Sequence, residues 1–263
     1  MDSRDMDSGL AAFAASGNDA ENGGVGKTSM KDWVAYYDSD HSIYVNARHR
    51  DVHYARLAEA IVSYVPSSTA AVLDYGCGEA LHADRVANAA GRLTLAEAGP
   101  AVRGRLIERF KGNPRILVMS TDRVASLLPG SFELVVLHSV SQYLSPAEFD
   151  RTAALFHRLL QPGGVLLVGD VVPPGASAIS DSLALLQFGW RDGFLCAAAV
   201  GLVRTALSDY RRLRAKVGLT RYSQQEMADK LTAAGFAVTR APSNLGHLTT
   251  RMTFSARKMP PAT

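Results

Sequence analysis

Between residues 70 and 172, short apolar runs alternate with amphipathic stretches in a regular rhythm, and that rhythm restricts the fold more than any other feature of the chain. The runs predict strands at Ala71 to Tyr75, Leu93 to Glu97, Ile116 to Met119, Glu133 to Leu137 and Val165 to Val172. The intervening stretches predict helices ending near Ala90 and Phe110, and a third over 146 to 160. Strands that alternate with helices form parallel sheets covered on both faces, so an α/β fold is expected. The third helix opens on Ser145, Pro146 and Glu148, an N-cap, a first-turn proline and a capping-box acid. Its buried stripe is Phe149, Ala153, Phe156 and Leu160.

The flanks read differently. Residues 1–30 are rich in Asp, Ser, Gly and Asn without apolar periodicity, the composition of a disordered tail. Gly23 to Thr28, GGVGKT, is similar to the end of a phosphate-binding P-loop, but no strand feeds it and nucleotide binding there is disfavoured. One domain is expected over 31–263, with a helical cap at 31–66 and a helical insertion at 177–222. A second capping box, Ser223 with Glu226, opens a helix closing at Gly235, and strands follow at Ala237 to Arg240 and Leu248 to Ala256.

With 263 residues, 47% of them hydrophobic, the chain can bury one sizeable core. A formal net charge of +3 from dispersed basic residues gives no nucleic-acid footprint. Cys77 and Cys196 form neither a metal-ligand pattern nor a disulfide framework. The most apolar region, Leu183 to Leu207, is broken by Arg191 and Asp192, and its clean run, Gly193 to Val203, is too short to span a membrane. A cytoplasmic protein with reduced thiols is the expectation.

The chemistry gathers at Val72 to Ala80, VLDYGCGEA, where a Gly-x-Gly turn joins a strand to a helix and exposes backbone N–H groups to a ligand. Asp74 stands two residues before the first glycine, and Leu81 occupies the place of the third glycine of a dinucleotide fingerprint. Asp-x-Gly-x-Gly followed by Ala80 resembles the first motif of the Rossmann-like class I S-adenosylmethionine-dependent methyltransferases. Glu97 in LTLAEAGP, the stretch Ser131 to Leu144, the Pro-Gly-Gly turn within Leu160 to Asp170, and AAGFAV resemble later motifs in the family's order.

This resemblance implies a seven-stranded, mostly parallel sheet with one antiparallel strand, an N-terminal lid and a helical insertion after the fifth strand. It implies S-adenosylmethionine as cofactor. Asp74 and the backbone of Gly76, Cys77 and Gly78 would hold its methionine end, and Glu97, with Ala98 beside it, its ribose hydroxyls. Thr121 or Asp122 would meet the adenine. His138, at the carboxyl edge of the fourth strand, either touches cofactor, acts as a base or is structural; Tyr143 is a second catalytic candidate. Within the cluster Tyr36, Tyr37, Tyr44, Arg48, His49 and His53, a lid is expected in which Tyr44 faces the sulfonium and Arg48 the cofactor carboxylate; a packed aromatic helix explains the same residues. The apolar insertion suggests a small apolar or aromatic acceptor, and a homodimer interface explains it equally well. An NAD-dependent oxidoreductase and a cofactor-binding protein without turnover are the alternatives.

Overall fold

The computed structural model describes residues 30–39, 44, 46–176, 178–206, 218–246 and 248–259. The expected tail, its Gly23 to Thr28 stretch and residues 207–217 of the insertion lie outside the described residues.

Two helices precede the sheet, α1 (Met30–Asp38) and α2 (Ala47–Val62). The alternating body then runs β1 (Ala71–Tyr75), α3 (Ala83–Ala89), β2 (Arg92–Ala96), α4 (Pro100–Arg109), β3 (Ile116–Met119), α5 (Thr121–Val124), β4 (Phe132–His138), α6 (Pro146–Leu159) and β5 (Leu160–Val171). A 3₁₀ turn, Ser141–Tyr143, separates β4 from α6. After β5 come α7 (Ala178–Asp192), α8 (Leu195–Ala206), α9 (Gln224–Ala233), β6 (Phe236–Arg240) and β7 (Met252–Lys258).

The seven strands order as β3-β2-β1-β4-β5-β7-β6. All pairs from β3 to β5 are parallel, and β7 runs antiparallel to both β5 and β6. The order reverses between β1 and β4, which opens a crevice at their carboxyl ends, where ligands bind in sheets of this kind.

Burial follows the sequence pattern. On one face Phe149, Ala153, Phe156 and Leu159 of α6 pack with Met227 and Leu231 of α9. On the other, Leu57 and Ile61 of α2 join Val86 of α3 and Val102 and Leu106 of α4. Both capping boxes form: the Ser145 and Ser223 hydroxyls accept from the Glu148 and Glu226 amides, and each glutamate accepts from its cap residue's N–H.

Most strand ends shift by a single residue, and larger departures occur in three places. β5 begins five residues early, at Leu160, because Pro162-Gly163-Gly164 bulges out of a register that resumes at Leu134 with Val165. β7 starts at Met252, and residues 241–246 and 248–251 form no strand, with Leu248 and Arg251 lining the crevice. Residues 121–124 coil into a short helix. In the insertion, Phe188 and Phe194 are buried with Val52 of α2 packed against them, while Trp190 is 75% exposed. No described helix is long and apolar enough to cross a membrane.

Candidate functional site

The crevice is a cavity of about 460 Å³, a size typical of small-molecule sites. Its floor is the turn after β1. Gly76 and Gly78 have φ of +73° and +57°, conformations that glycine adopts without penalty. Space demands them as well. A Cβ on Gly76 would lie 2.5 Å from Val140 Cγ2, and one on Gly78 would lie 2.8 Å from the Tyr54 hydroxyl. Backbone therefore faces the cavity where side chains would fill it.

Two carboxylates flank this turn. Glu97 follows β2, and its oxygens accept from the Gly78 amide at 2.9 Å and the Gly99 amide at 2.8 Å. Each oxygen keeps a second lone pair, so Glu97 can hold the turn and still accept from paired hydroxyls. Asp74, in β1, lines the same cavity. Burial, and secondarily the Glu97 charge, pushes it up to about 7. Such a carboxylate is short of a countercharge, and a ligand ammonium would supply it.

From above, α2 clamps the turn. The Tyr54 hydroxyl accepts from the Glu79 amide at 3.0 Å, and Arg50 pairs with the Glu79 carboxylate at 3.2 Å. Tyr44 lines the cavity and hydrogen-bonds to Tyr54. An aromatic wall closes one side: the Trp33 and Tyr143 ring centroids lie 4.5 Å apart with the rings tilted by 43°, and Tyr37 meets Tyr143 hydroxyl to hydroxyl. Ala98, Thr121 and Cys77 also line the cavity. Burial raises the Cys77 thiol well above its ordinary value, so it stays protonated.

The far end carries polar groups. His138 ends β4 and is 7% exposed, its ring fitted against Gly169 and Gly246, and burial depresses it to about 4. His53, with ring centroid 6.2 Å away, is driven to about 3 by burial and by His138. Both imidazoles are neutral at physiological pH. Ser139 and Asp170, at the ends of β4 and β5, have φ of +56° and +61°, uncommon for residues with side chains. They bond to each other, Ser139 Oγ donating to Asp170 Oδ2 at 2.8 Å. Asn244 accepts from the Asp170 amide, and Thr253 Oγ1 hydrogen-bonds to Asn244 Oδ1. Burial raises Asp170 despite the opposing influence of Arg251, itself 6% exposed and lining the cavity.

Two expected residues lie elsewhere. Arg48 is exposed, and its Nε donates to the Asp192 carbonyl at 2.6 Å, serving the C-terminus of α7 instead of a cofactor carboxylate. Asp122 is exposed because its neighbour Thr121 takes the inward position of α5, and one helical step turns the next side chain away by about 100°. Unforeseen lining residues are Trp33, Tyr54, Ser139, Gln142, Asp170 and Arg251. Asp170 could have been found from the strand-end rule that flagged Asp74 and His138.

Residues 73–168 match the model of a methyltransferase domain family. That match and the seven-stranded sheet make this part of the chain similar to class I S-adenosylmethionine-dependent methyltransferases. Uncharacterized methyltransferases of Mycobacterium bovis and Mycobacterium tuberculosis are 33% identical over 126 residues, 47% of this chain and 60% of theirs. The match thus spans less than two thirds of those relatives. The fold is shared with the N-methyltransferase NodS of Bradyrhizobium japonicum, solved with S-adenosylhomocysteine (18% identity, TM-score 0.55, covering 89% of this chain and all of that one). It is shared too with the 1,6-didemethyltoxoflavin-N1-methyltransferase of Burkholderia thailandensis (18%, 0.54, covering 90% and 93%) and with the (4+2)-cyclase SpnF (15%, 0.57, covering 90% and 99%).

Proposed function

We infer that the cavity holds S-adenosylmethionine and that the protein methylates a small, apolar or aromatic molecule. The observation that carries this is the pairing of Asp74 and Glu97 on adjacent strand ends, around a turn whose two glycines leave backbone exposed to the cavity. Asp74 would take the cofactor ammonium, Glu97 the ribose hydroxyls, and Thr121 with the wall of Trp33, Tyr37 and Tyr143 the flat base. Tyr44, which lines the cavity, would present its ring toward the sulfonium. Arg48 and Asp122 drop out of this set on their positions alone.

The bound cofactor supplies a methyl group already activated on sulfur, so the protein's work is to orient the acceptor and exclude water. The far end suits that work. His138 and His53 are neutral hydrogen-bonding groups, and Leu185, Leu219 and Leu248 add apolar wall. An imidazole depressed to about 4 is a weak base at pH 7, since a good one titrates near the working pH. His138 is therefore better placed to accept a hydrogen bond from an acceptor O–H or N–H than to remove its proton outright. An acceptor already nucleophilic at neutral pH needs no base.

The test uses S-adenosylmethionine labelled on its methyl group, incubated with the protein and with separate small-molecule, protein and nucleic-acid fractions of a cell extract. Label is expected in the small molecules. Label appearing only in a macromolecular fraction, or in none although the cofactor binds, would overturn the proposed acceptor class.

A further inference from the structure

Helix α4 begins at Pro100, shortly after Glu97, and lacks a cap of its own: Gly99 stands at the cap position and has no side chain to offer. The orphan amides of that first turn are satisfied by two carboxylates from elsewhere. Glu97 accepts from the Gly99 N–H, and Asp38, the last residue of α1, accepts from the Ala101 and Val102 N–H groups at 2.8 and 3.0 Å through one oxygen, Oδ1. A negative charge there also complements the helix dipole. This cap comes from more than sixty residues away in sequence, and it fixes a helix that covers the cavity.

Gly99 makes the approach feasible. A Cβ at this position would stand 2.5 Å from Asp38 Oδ1 and 3.0 Å from its Cγ, so any larger residue displaces the carboxylate. Gly99 itself has φ of −66°, which every residue can adopt, so the glycine is required here for space alone. Earlier in the same helix as Asp38, Trp33, Val34 and Tyr37 line the cavity, with Trp33 only 3% exposed. On the other flank Arg103 of α4 donates to the Glu97 and Ala98 carbonyls, so the turn gripped by Asp38 is the one that presents the Glu97 carboxylate.

We propose that Asp38 is a latch: by capping α4 it pins α1 over the cofactor cavity and links closure of that wall to the turn carrying Glu97, making it a positioning residue for retention of the cofactor. This rests on the cofactor assignment above. Lifting α1 strips two amides of their acceptor and opens the Trp33 side of the cavity, so a weakened latch should speed cofactor release.

The chain has two tryptophans, and Trp190 is exposed, so a Trp190→Phe background leaves Trp33 as the sole reporter. In that background Asp38→Ala, Asp38→Asn and Gly99→Ala are compared by acrylamide quenching of Trp33 and by dissociation of S-adenosylhomocysteine in surface plasmon resonance. Asp38→Ala and Gly99→Ala should release the ligand about fivefold faster or more, with Trp33 more readily quenched, the scale of a lost helix cap. Asp38→Asn, a cap of nearly equal quality, should stay within about twofold of the parent. Folded Ala variants with unchanged release and unchanged quenching would overturn the latch, as would an effect confined to melting temperature. If the parent itself fails to bind S-adenosylhomocysteine, the cofactor assignment falls, and the quenching of the unliganded variants decides the latch alone.

Discussion

Asp74→Asn keeps volume and removes charge, and the structure predicts opposite effects on stability and binding. The parent carboxyl is lifted from 3.8 to about 7, chiefly by burial and then by Glu97. At about 1.36 kcal/mol per tenfold, its ionised form sits up to roughly 4 kcal/mol above its solvated state. Because the folded value lies above the unfolded one, the native protein holds an extra proton between about pH 4 and 7, and this contribution to stability is lost as pH rises through about 7. The asparagine variant should therefore gain on the parent at pH 8 relative to pH 5, by about 2 °C or more in calorimetric melting for a chain of this length. Binding runs the other way. A ligand ammonium favours ionised Asp74, so parent affinity for S-adenosylhomocysteine should fall about 25-fold between pH 7.5 and 5.5. The variant should bind about tenfold more weakly at pH 7.5, with little change over that range. Equal relative stability at both pH values, or a parent affinity indifferent to pH, would refute the placement of Asp74 as a desolvated carboxylate awaiting a cation.

Further outcomes follow from single contacts. Glu97→Gln should weaken S-adenosylhomocysteine binding by about tenfold or more in calorimetric titration, since it costs hydrogen bonds to a charged acceptor and the grip on Gly78. Gly76→Ala combines a left-handed backbone with a clash on Val140, so it should lower the melting temperature, and adding Val140→Ala should recover only the clash. His138→Ala should slow methyl transfer by about a hundredfold through lost orientation while S-adenosylhomocysteine affinity stays within about twofold. A pH–rate profile of the parent should show no limb from His138 between pH 5.5 and 8, because its depressed value lies near 4. Ser145 itself does not line the cavity, so Ser145→Ala, which removes the α6 cap, should cost about 1 kcal/mol in urea unfolding with binding intact.

The features legible in the sequence are those carried by local patterns. Strand and helix alternation is a short-range periodicity, and the capping boxes at Ser145 and Ser223 need only four consecutive residues, so both appear in the structure as the sequence implies. Asp74 and Glu97 were legible because each stands at a strand end beside a recognisable turn. Features set by long-range contact were not. Nothing around Tyr54 announces that its hydroxyl meets the Glu79 amide, nor around Asp38 that it caps α4. Arg48 has several acceptors within reach of a long side chain, and the carbonyl at the end of α7 decides the matter. Asp122 and Thr121 are adjacent in sequence, and only the rotation of α5 distinguishes them. The bulge at Pro162-Gly163-Gly164 escaped because a turn signal marks a change of direction without revealing that strand pairing begins before it.

The most direct test is calorimetric titration of the purified protein with S-adenosylmethionine and S-adenosylhomocysteine, alongside NAD and ATP, repeated on Glu97→Ala. Micromolar binding of the two methionine-derived ligands, lost or weakened by about tenfold or more in the variant, with no heat from NAD or ATP, is the predicted result. Binding of NAD in their place, or of none of the four to a folded protein, would contradict the assignment of the cavity.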